Sequence, residues 1–225
     1  MSPDPFDFSA RQDNADGSIT TWEYDSLSRL DKMTEYGPDV TPENLTDNPL
    51  LARYDYDVRS DGKRTGVTET HWFDTIAHET RIDWEYDGAG RLVEETFNHY
   101  DNSLDFSANY EFDLVGNRLK KTTDNGSNNS IDEAISYIYD NNDRLTTENI
   151  DTGNNGSVDS SNSYGFTGTQ QTTKTVSVGG SVTTAIAYSY DLQGRMNVVV
   201  TETKNGSGTV TRRERVTYNY DTYGI

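Results

Sequence analysis

Polar and apolar residues alternate with a period of two over most of this chain, and short runs of Asp, Asn, Gly and Ser interrupt the alternation at intervals. A period of two puts every second side chain on the same face of an extended strand, so the pattern predicts strands joined by tight turns and leaves little room for helices. The pattern is sharpest at Tyr137-Ile-Tyr139-Asp140, followed by Asp143 and Arg144-Leu145. Near-copies stand at Trp22, Tyr24 and Asp25 with Arg29, at Trp84, Tyr86 and Asp87 with Gly90 and Arg91, and at Tyr110, Phe112 and Asp113 with Gly116 and Arg118. Tyr188, Tyr190 and Asp191 lead to Gly194 and Arg195, Tyr54, Tyr56 and Asp57 form a looser copy, Tyr164 and Phe166 a worn one, and Tyr218, Tyr220 and Asp221 the last. The leading aromatics are between 24 (164 to 188) and 32 (22 to 54) residues apart, a spacing that marks a repeat architecture. Twelve of the 15 tyrosines occupy these slots, so the repeat dictates where the rings go.

Each unit has a physical reading. The two aromatics share one strand face, the Asp opens a turn by accepting a backbone N–H, a Gly or small polar residue closes it, and Arg-Leu starts the returning strand. The opposite ends of the hairpins carry pairs such as Asp16-Gly17, Asn128-Asn129, Asn155-Gly156 and Gly179-Gly180, which favour tight turns with positive φ. Parity then places Val182, Ile186, Tyr188 and Tyr190 on one face, Ile131, Ile135, Tyr137 and Tyr139 on one face, and Trp72, Asp74, Ile76, His78, Thr80, Ile82, Trp84 and Tyr86 on one face. Residues 1–12 are expected to be disordered, a 13–225 β-sheet domain follows, and the proline-containing stretch 37–53 is expected to be an irregular loop with a helical turn begun at Thr41-Pro42-Glu43. No proline follows Pro49, as continuous strand pairing requires.

The recurring aromatic-x-aromatic-Asp-x-x-Gly-Arg-Leu resembles the RHS or YD-repeat family, which includes bacterial rearrangement-hotspot proteins, the cocoon subunits of insecticidal toxin complexes and the teneurins. The resemblance runs from about Asp13 to Gly224. It implies an all-β repeat array of antiparallel hairpins, about seven of them or some fourteen strands, forming one long spiralling sheet that is a segment of a shell. It also implies a structural, non-enzymatic role in a larger secreted or surface protein, whose partners are the rest of the parent protein or an encapsulated toxin-like polypeptide. The family's self-cleaving Asp-Pro-x-Gly signature, a toxin tail and a signal peptide are not found, and the last copy is broken off at Tyr223-Gly224-Ile225, so a fragment of a longer protein is expected.

The hydrophobic fraction of 32% and the mean hydropathy of −0.87 are low for a packed core, yet they suit a sheet with little covering its faces. The net charge of −19 argues against nucleic acid or an anionic membrane surface as partner, and no apolar run approaches the length of a membrane-spanning helix. Without cysteine there are no disulfides and no thiolate chemistry. The repeated Asp residues fill one slot, which makes them turn formers and not catalysts, so no catalytic residue and no cofactor are expected. Asp151, Asn155 and Asp159 have the spacing of calcium ligands, with Gly156 at the sixth position, although the acid usual at the twelfth is Asn162. The same residues also read as a hairpin turn. His71, His78 and His99 show no ligand-like spacing. Aromatic ladders also suit sugar rings, so a carbohydrate-binding or adhesive surface module is the alternative function.

Overall fold

A computed structural model describes residues 8–38, 45, 48–73 and 75–220. The described residues form 16 strands: β1 (Phe8–Asp13), β2 (Ile19–Tyr24), β3 (Leu30–Tyr36), β4 (Leu50–Val58), β5 (Arg64–Phe73), β6 (Ile76–Tyr86), β7 (Leu92–Asn98), β8 (Phe106–Phe112), β9 (Arg118–Asn125), β10 (Glu133–Tyr139), β11 (Leu145–Thr152), β12 (Ser160–Thr167), β13 (Gln170–Val178), β14 (Ser181–Tyr190), β15 (Met196–Lys204) and β16 (Val210–Thr217). They make one antiparallel sheet in which every strand lies beside its sequence neighbours. Hairpins built in series give this order, because each turn leaves the chain next to the strand it has just completed. Among the described residues no helix is long and apolar enough to cross a membrane.

Sixteen strands stand where some fourteen were expected, and one gain, β1, and one extension, of β4, have local causes. β1 begins inside the stretch expected to be loose, because Ala10, Gln12 and their neighbours pair along Trp22 and Thr20 of β2. Residues 1–7, and the helical turn expected at Thr41-Pro42-Glu43, lie outside the described residues. β4 starts at Leu50, three residues before the expected end of the loop, since Leu50 and Ala52 already pair with Tyr36 and Glu35. The segment before it is anchored where Gly37 N–H donates to the Pro49 carbonyl at 2.8 Å and Asn48 Nδ2 to the Gly37 carbonyl at 3.3 Å.

Two compact units divide the chain, one of Met1–Asn109 with Asp124–Ser130 and the other of Tyr110–Thr123 with Ile131–Ile225. Among the described residues buried apolar side chains are few. Ile19, Ala52, Val67 and Ala108 serve the first unit, and Ala134 and Tyr137 the second. Cross-strand pairs on a single sheet therefore replace a two-layer core, as the low apolar fraction anticipated.

Three parity expectations fail for identifiable reasons. Phe73 pairs with Ile76, with Asp74 outside the described residues, so His71 sits opposite His78 and Trp72 opposite Ala77, which puts Trp72 on the other face from His78 and Trp84. In β14 a register shift between Val176 and Ser177 of its partner moves Val182 off the face of Ile186 and Tyr188. Ile131 precedes β10 and shares no strand face with Tyr137. The Phe73–Ile76 turn also holds Thr75 at φ 71°, an unfavourable conformation for a β-branched residue. Replacing Thr75→Gly is expected to raise unfolding free energy by about 1 kcal/mol in urea titrations, whereas Thr68→Gly within β5 lowers it.

Candidate functional site

The repeated turn is one hydrogen-bonded device. Asp25 N–H donates to the Arg29 carbonyl at 2.8 Å and Ser28 N–H to the Asp25 carbonyl at 2.9 Å, and the same pair of bonds closes the turns at Asp87, Asp113, Asp140 and Asp191. This is a type I turn followed by one residue of positive φ, which inserts a bulge and shifts the register by one in the flanking ladder. Gly90 and Gly194 take that conformation readily, while Ser28 at φ 60° and Asp143 at φ 57° fill it with side chains. The Asp carboxylate locks the turn. In the Asp140 copy, Oδ1 accepts from Asn142 N–H at 2.8 Å and Arg144 N–H at 3.1 Å, and Oδ2 accepts Arg144 Nε at 2.7 Å. Asp25, Asp87 and Asp191 hold Arg29, Arg91 and Arg195 in the same way.

Two copies depart from the expected assignment. At Asp113 the Arg slot belongs to Asn117, whose Nδ2 bonds Asp113 Oδ2 at 3.0 Å, so Arg118 falls one position later, where the other copies carry Leu or Met. In the looser copy β4 runs two residues longer and Arg59 opens the turn, with its N–H on the Lys63 carbonyl at 2.8 Å. Asp57 is therefore a strand residue, and its Oδ2 accepts Arg81 Nη2 at 2.5 Å. Asp221 lies outside the described residues.

The same arginines tie each repeat to the next. In the second unit Arg144, already bound to Asp140, lies 4.5 Å over the Phe166 ring and donates through Nη1 to the Gly168 carbonyl. Arg195 lies 4.5 Å over Tyr220, and Arg118 the same distance over Tyr137. Hydroxyls add a second tie: Tyr139 donates to the Arg118 carbonyl at 3.0 Å, Tyr190 to that of Gln171 and Tyr220 to that of Met196, both at 2.6 Å. In the first unit Arg29 Nη1 reaches the Arg59 carbonyl at 2.6 Å, and Arg59 and Lys63 lie over Tyr86 at 5.7 and 5.3 Å. Each cation–π contact contributes on the order of 0.5–1 kcal/mol where exposed. The Arg144 and Arg195 guanidiniums thus each serve their own turn and a neighbour's ring at once. With Tyr137 buried and Phe166 and Tyr220 capped by cations, those rings are not free ledges for sugars, and the glycan-binding alternative is not favoured.

The Asp87 and Asp191 carboxyls are held below the usual carboxylate range first by the backbone N–H four residues on, and Asp140 first by the Arg144 side chain. A carboxyl whose folded pKa is depressed contributes stability that is present above its unfolded pKa, near 4, and is lost as pH falls through the folded value. Urea titrations between pH 6 and pH 3 are expected to show stability falling on acidification, with Asp191→Asn less stable than the parent at pH 6 and losing less on the way down.

The calcium-like residues serve the opposite turn. Asp151 Oδ1 and Oδ2 accept the N–H groups of Asn155 and Gly156 at 3.0 and 2.8 Å, Asn155 Oδ1 accepts Ser157 N–H at 2.9 Å, and Asp159 Oδ2 accepts Thr152 N–H at 2.7 Å. Oxygens aimed at backbone donors do not converge on a cation, and no group of three or more acidic or histidine side chains among the described residues could hold a metal. The donor set does not fit calcium. It belongs to a second repeat element, Ser-apolar-Asp at 103–105, 130–132 and 157–159, in which the carbonyls of Asp105, Asp132 and Asp159 accept Gly126, Gly153 and Gly179 N–H from the next turn. That triplet was visible in the sequence but was hidden behind the calcium spacing. The three histidines, without ligand spacing in the sequence, are gathered into one cleft.

No family model and no curated protein matches this chain. Solved structures do. The fold is similar to that in crystal structures of TcdB2-TccC3, of TcdB2-TccC3-Cdc42 and of TcdB2-TccC3 without the hypervariable C-terminal region, each with a TM-score of 0.56 at 15% identity over 93% of this chain. The chain spans 12% of the length of those proteins. The likeness supports an RHS-like fold.

Proposed function

We propose that this chain is a non-enzymatic wall segment of an RHS-type shell, part of a larger secreted or surface protein that encloses or displays another polypeptide. The observation that carries the reading is the tie between repeats: the clamped Arg144 and Arg195, and Arg118 one position past its slot, each bind a neighbouring repeat's ring, so recurring side chains of the sequence are used in joining one hairpin to the next. Likeness in fold to TcdB2-TccC3 supports the shell. Repeats that contact only their neighbours extend a surface without building a central site. Electron microscopy of the protein encoded by the whole reading frame tests the proposal, with a hollow particle containing additional protein density expected. A particle without a cavity would overturn it. So would a hydrolytic activity lost in Asp140→Asn and kept in Asp191→Asn, since these two residues occupy the same slot.

A further inference from the structure

Beside β5, β6 and β7 lies a cleft of about 350 Å³ that the clamp does not use. His71 and His78 face each other across β5 and β6, and His99 follows β7. Aromatic rings fill the spaces between them. Phe73 is stacked with His71 at 6.5 Å and 15°, Phe97 with His99 at 6.1 Å and 20°, and Tyr100 meets His78 edge-on at 4.5 Å. The cleft is therefore walled by ring faces and edges with few aliphatic groups.

Its polar groups are unequally occupied. Asp101 is bound to His99 Nδ1 at 2.5 Å and to Ser103 N–H at 2.9 Å, and Asp105 Oδ1 accepts His99 N–H at 2.6 Å, so this turn is fixed from within. Glu69, one pleat from His71 on the same face, has neither a hydrogen bond nor an ion pair with any described residue, and among the described residues the ring nitrogens of His71 and His78 have no hydrogen-bond partner. A partly buried carboxylate without a partner is unfavourable by itself and attracts a cation. The net charge of −19 adds a long-range field of the same sign.

We propose that this cleft binds an arginine side chain presented by a polypeptide. A guanidinium is planar and weakly hydrated, so it stacks on the exposed rings of Phe73 and Tyr100 while its fork donates to Glu69, and its remaining N–H groups match imidazole nitrogens. An ammonium offers no such plane. The volume lies at the small end of ligand pockets, which suits one side chain and not a larger molecule. Metal chelation is the competing chemistry for three histidines, but among the described residues no set of them with acidic side chains is placed to hold an ion. The inference is local to these strands and does not depend on the shell reading.

The chain has only three histidines, all in the cleft, so their Cε1–H resonances in a proton–carbon NMR spectrum report on it directly. Titration with Nα-acetyl-arginine amide is expected to shift all three along one saturable curve at millimolar concentration. The uncharged citrulline counterpart is expected to bind about tenfold more weakly, the value of one charge-assisted contact. Glu69→Gln should remove that tenfold preference and preserve the dispersion of the three resonances, which shows that the fold is intact. Glu79→Gln, opposite Thr70 on the other face, should preserve the preference. No saturable shift up to the solubility of the arginine probe, equal binding of arginine and citrulline, or tighter occupation of the same three resonances by zinc ion would each overturn the proposal.

Discussion

Tyr137→Ala is expected to destabilise the second unit by about 3 kcal/mol, with a fall in melting temperature of roughly 6–12 °C, while Tyr218→Ala costs less than about 1 kcal/mol. The two residues are the same letter in the same slot of the repeat, so a sequence-based account treats them alike. Their surroundings separate them. Tyr137 is 6% exposed, lies opposite Glu148 on β11 and is covered by the Arg118 guanidinium, and burial pushes its phenol above its usual range. Truncation there removes a buried ring and leaves a cavity that flanking strands cannot close without losing their ladder. Tyr218 is 46% exposed beyond the end of β16, and removing its ring uncovers surface that water already wets. Because such repeats are stabilised by nearest neighbours, the loss at Tyr137 should appear first in β9 to β11, as accelerated amide exchange that does not spread evenly over the unit. Equal effects of the two substitutions would show that the slot, and not its burial, sets the energy.

Most of the architecture was legible because the information is local. The type I turn needs Asp at one position and a residue tolerant of positive φ three later, and both are written in the sequence at 87 and 90 or 191 and 194. The arginines stand four residues after those Asp residues and face them across the bulge. What escaped was whatever depends on counting through an irregularity. One extra residue shifted Arg118 out of its slot, two extra moved the turn from Asp57 to Arg59, and one bulge turned Val182 to the other face. The histidine cleft escaped for the same reason. His71 and His78 have opposite parity in the sequence, and only the pairing of Phe73 with Ile76 brings them to one side. His99 joins them through a long-range alignment, Ile82 beside Phe97, that no single-strand pattern contains. The site was therefore spread over three strands whose relative register the local pattern does not determine.

Raising the ionic strength is expected to increase self-association through β16, with light scattering growing with protein concentration more steeply in 0.5–1 M salt than at about 0.02 M, where the Debye length is several times longer. β16 is the last strand in the order of the sheet, and all eight of its residues are exposed. One side pairs with β15 from Val198↔Thr217 to Lys204↔Val210. Among the described residues no strand pairs with the other side, whose backbone donors and acceptors can take up an extended chain, the usual route to edge-to-edge pairing. Two features oppose it. A net charge of −19 repels a second copy at long range, and Arg212, Arg213 and Arg215 place charge along the edge itself, with Arg212 on Glu214 at 2.6 Å and Arg213 on Glu202 at 3.5 Å. Salt weakens the first opposition in full and the second only in part, because charges within a few ångströms are screened least. The net effect is toward association. Val216, 49% exposed opposite Val199, is the apolar contact a docking strand would use, so Val216→Lys should return the high-salt scattering to the low-salt level without altering the circular dichroism of the fold. A protein that remains monomeric in both salts would show this edge to be closed to pairing. A Val216→Lys variant that associates as strongly as the parent would move the contact to another surface of the chain, with the other terminal strand, β1, as the next position to substitute.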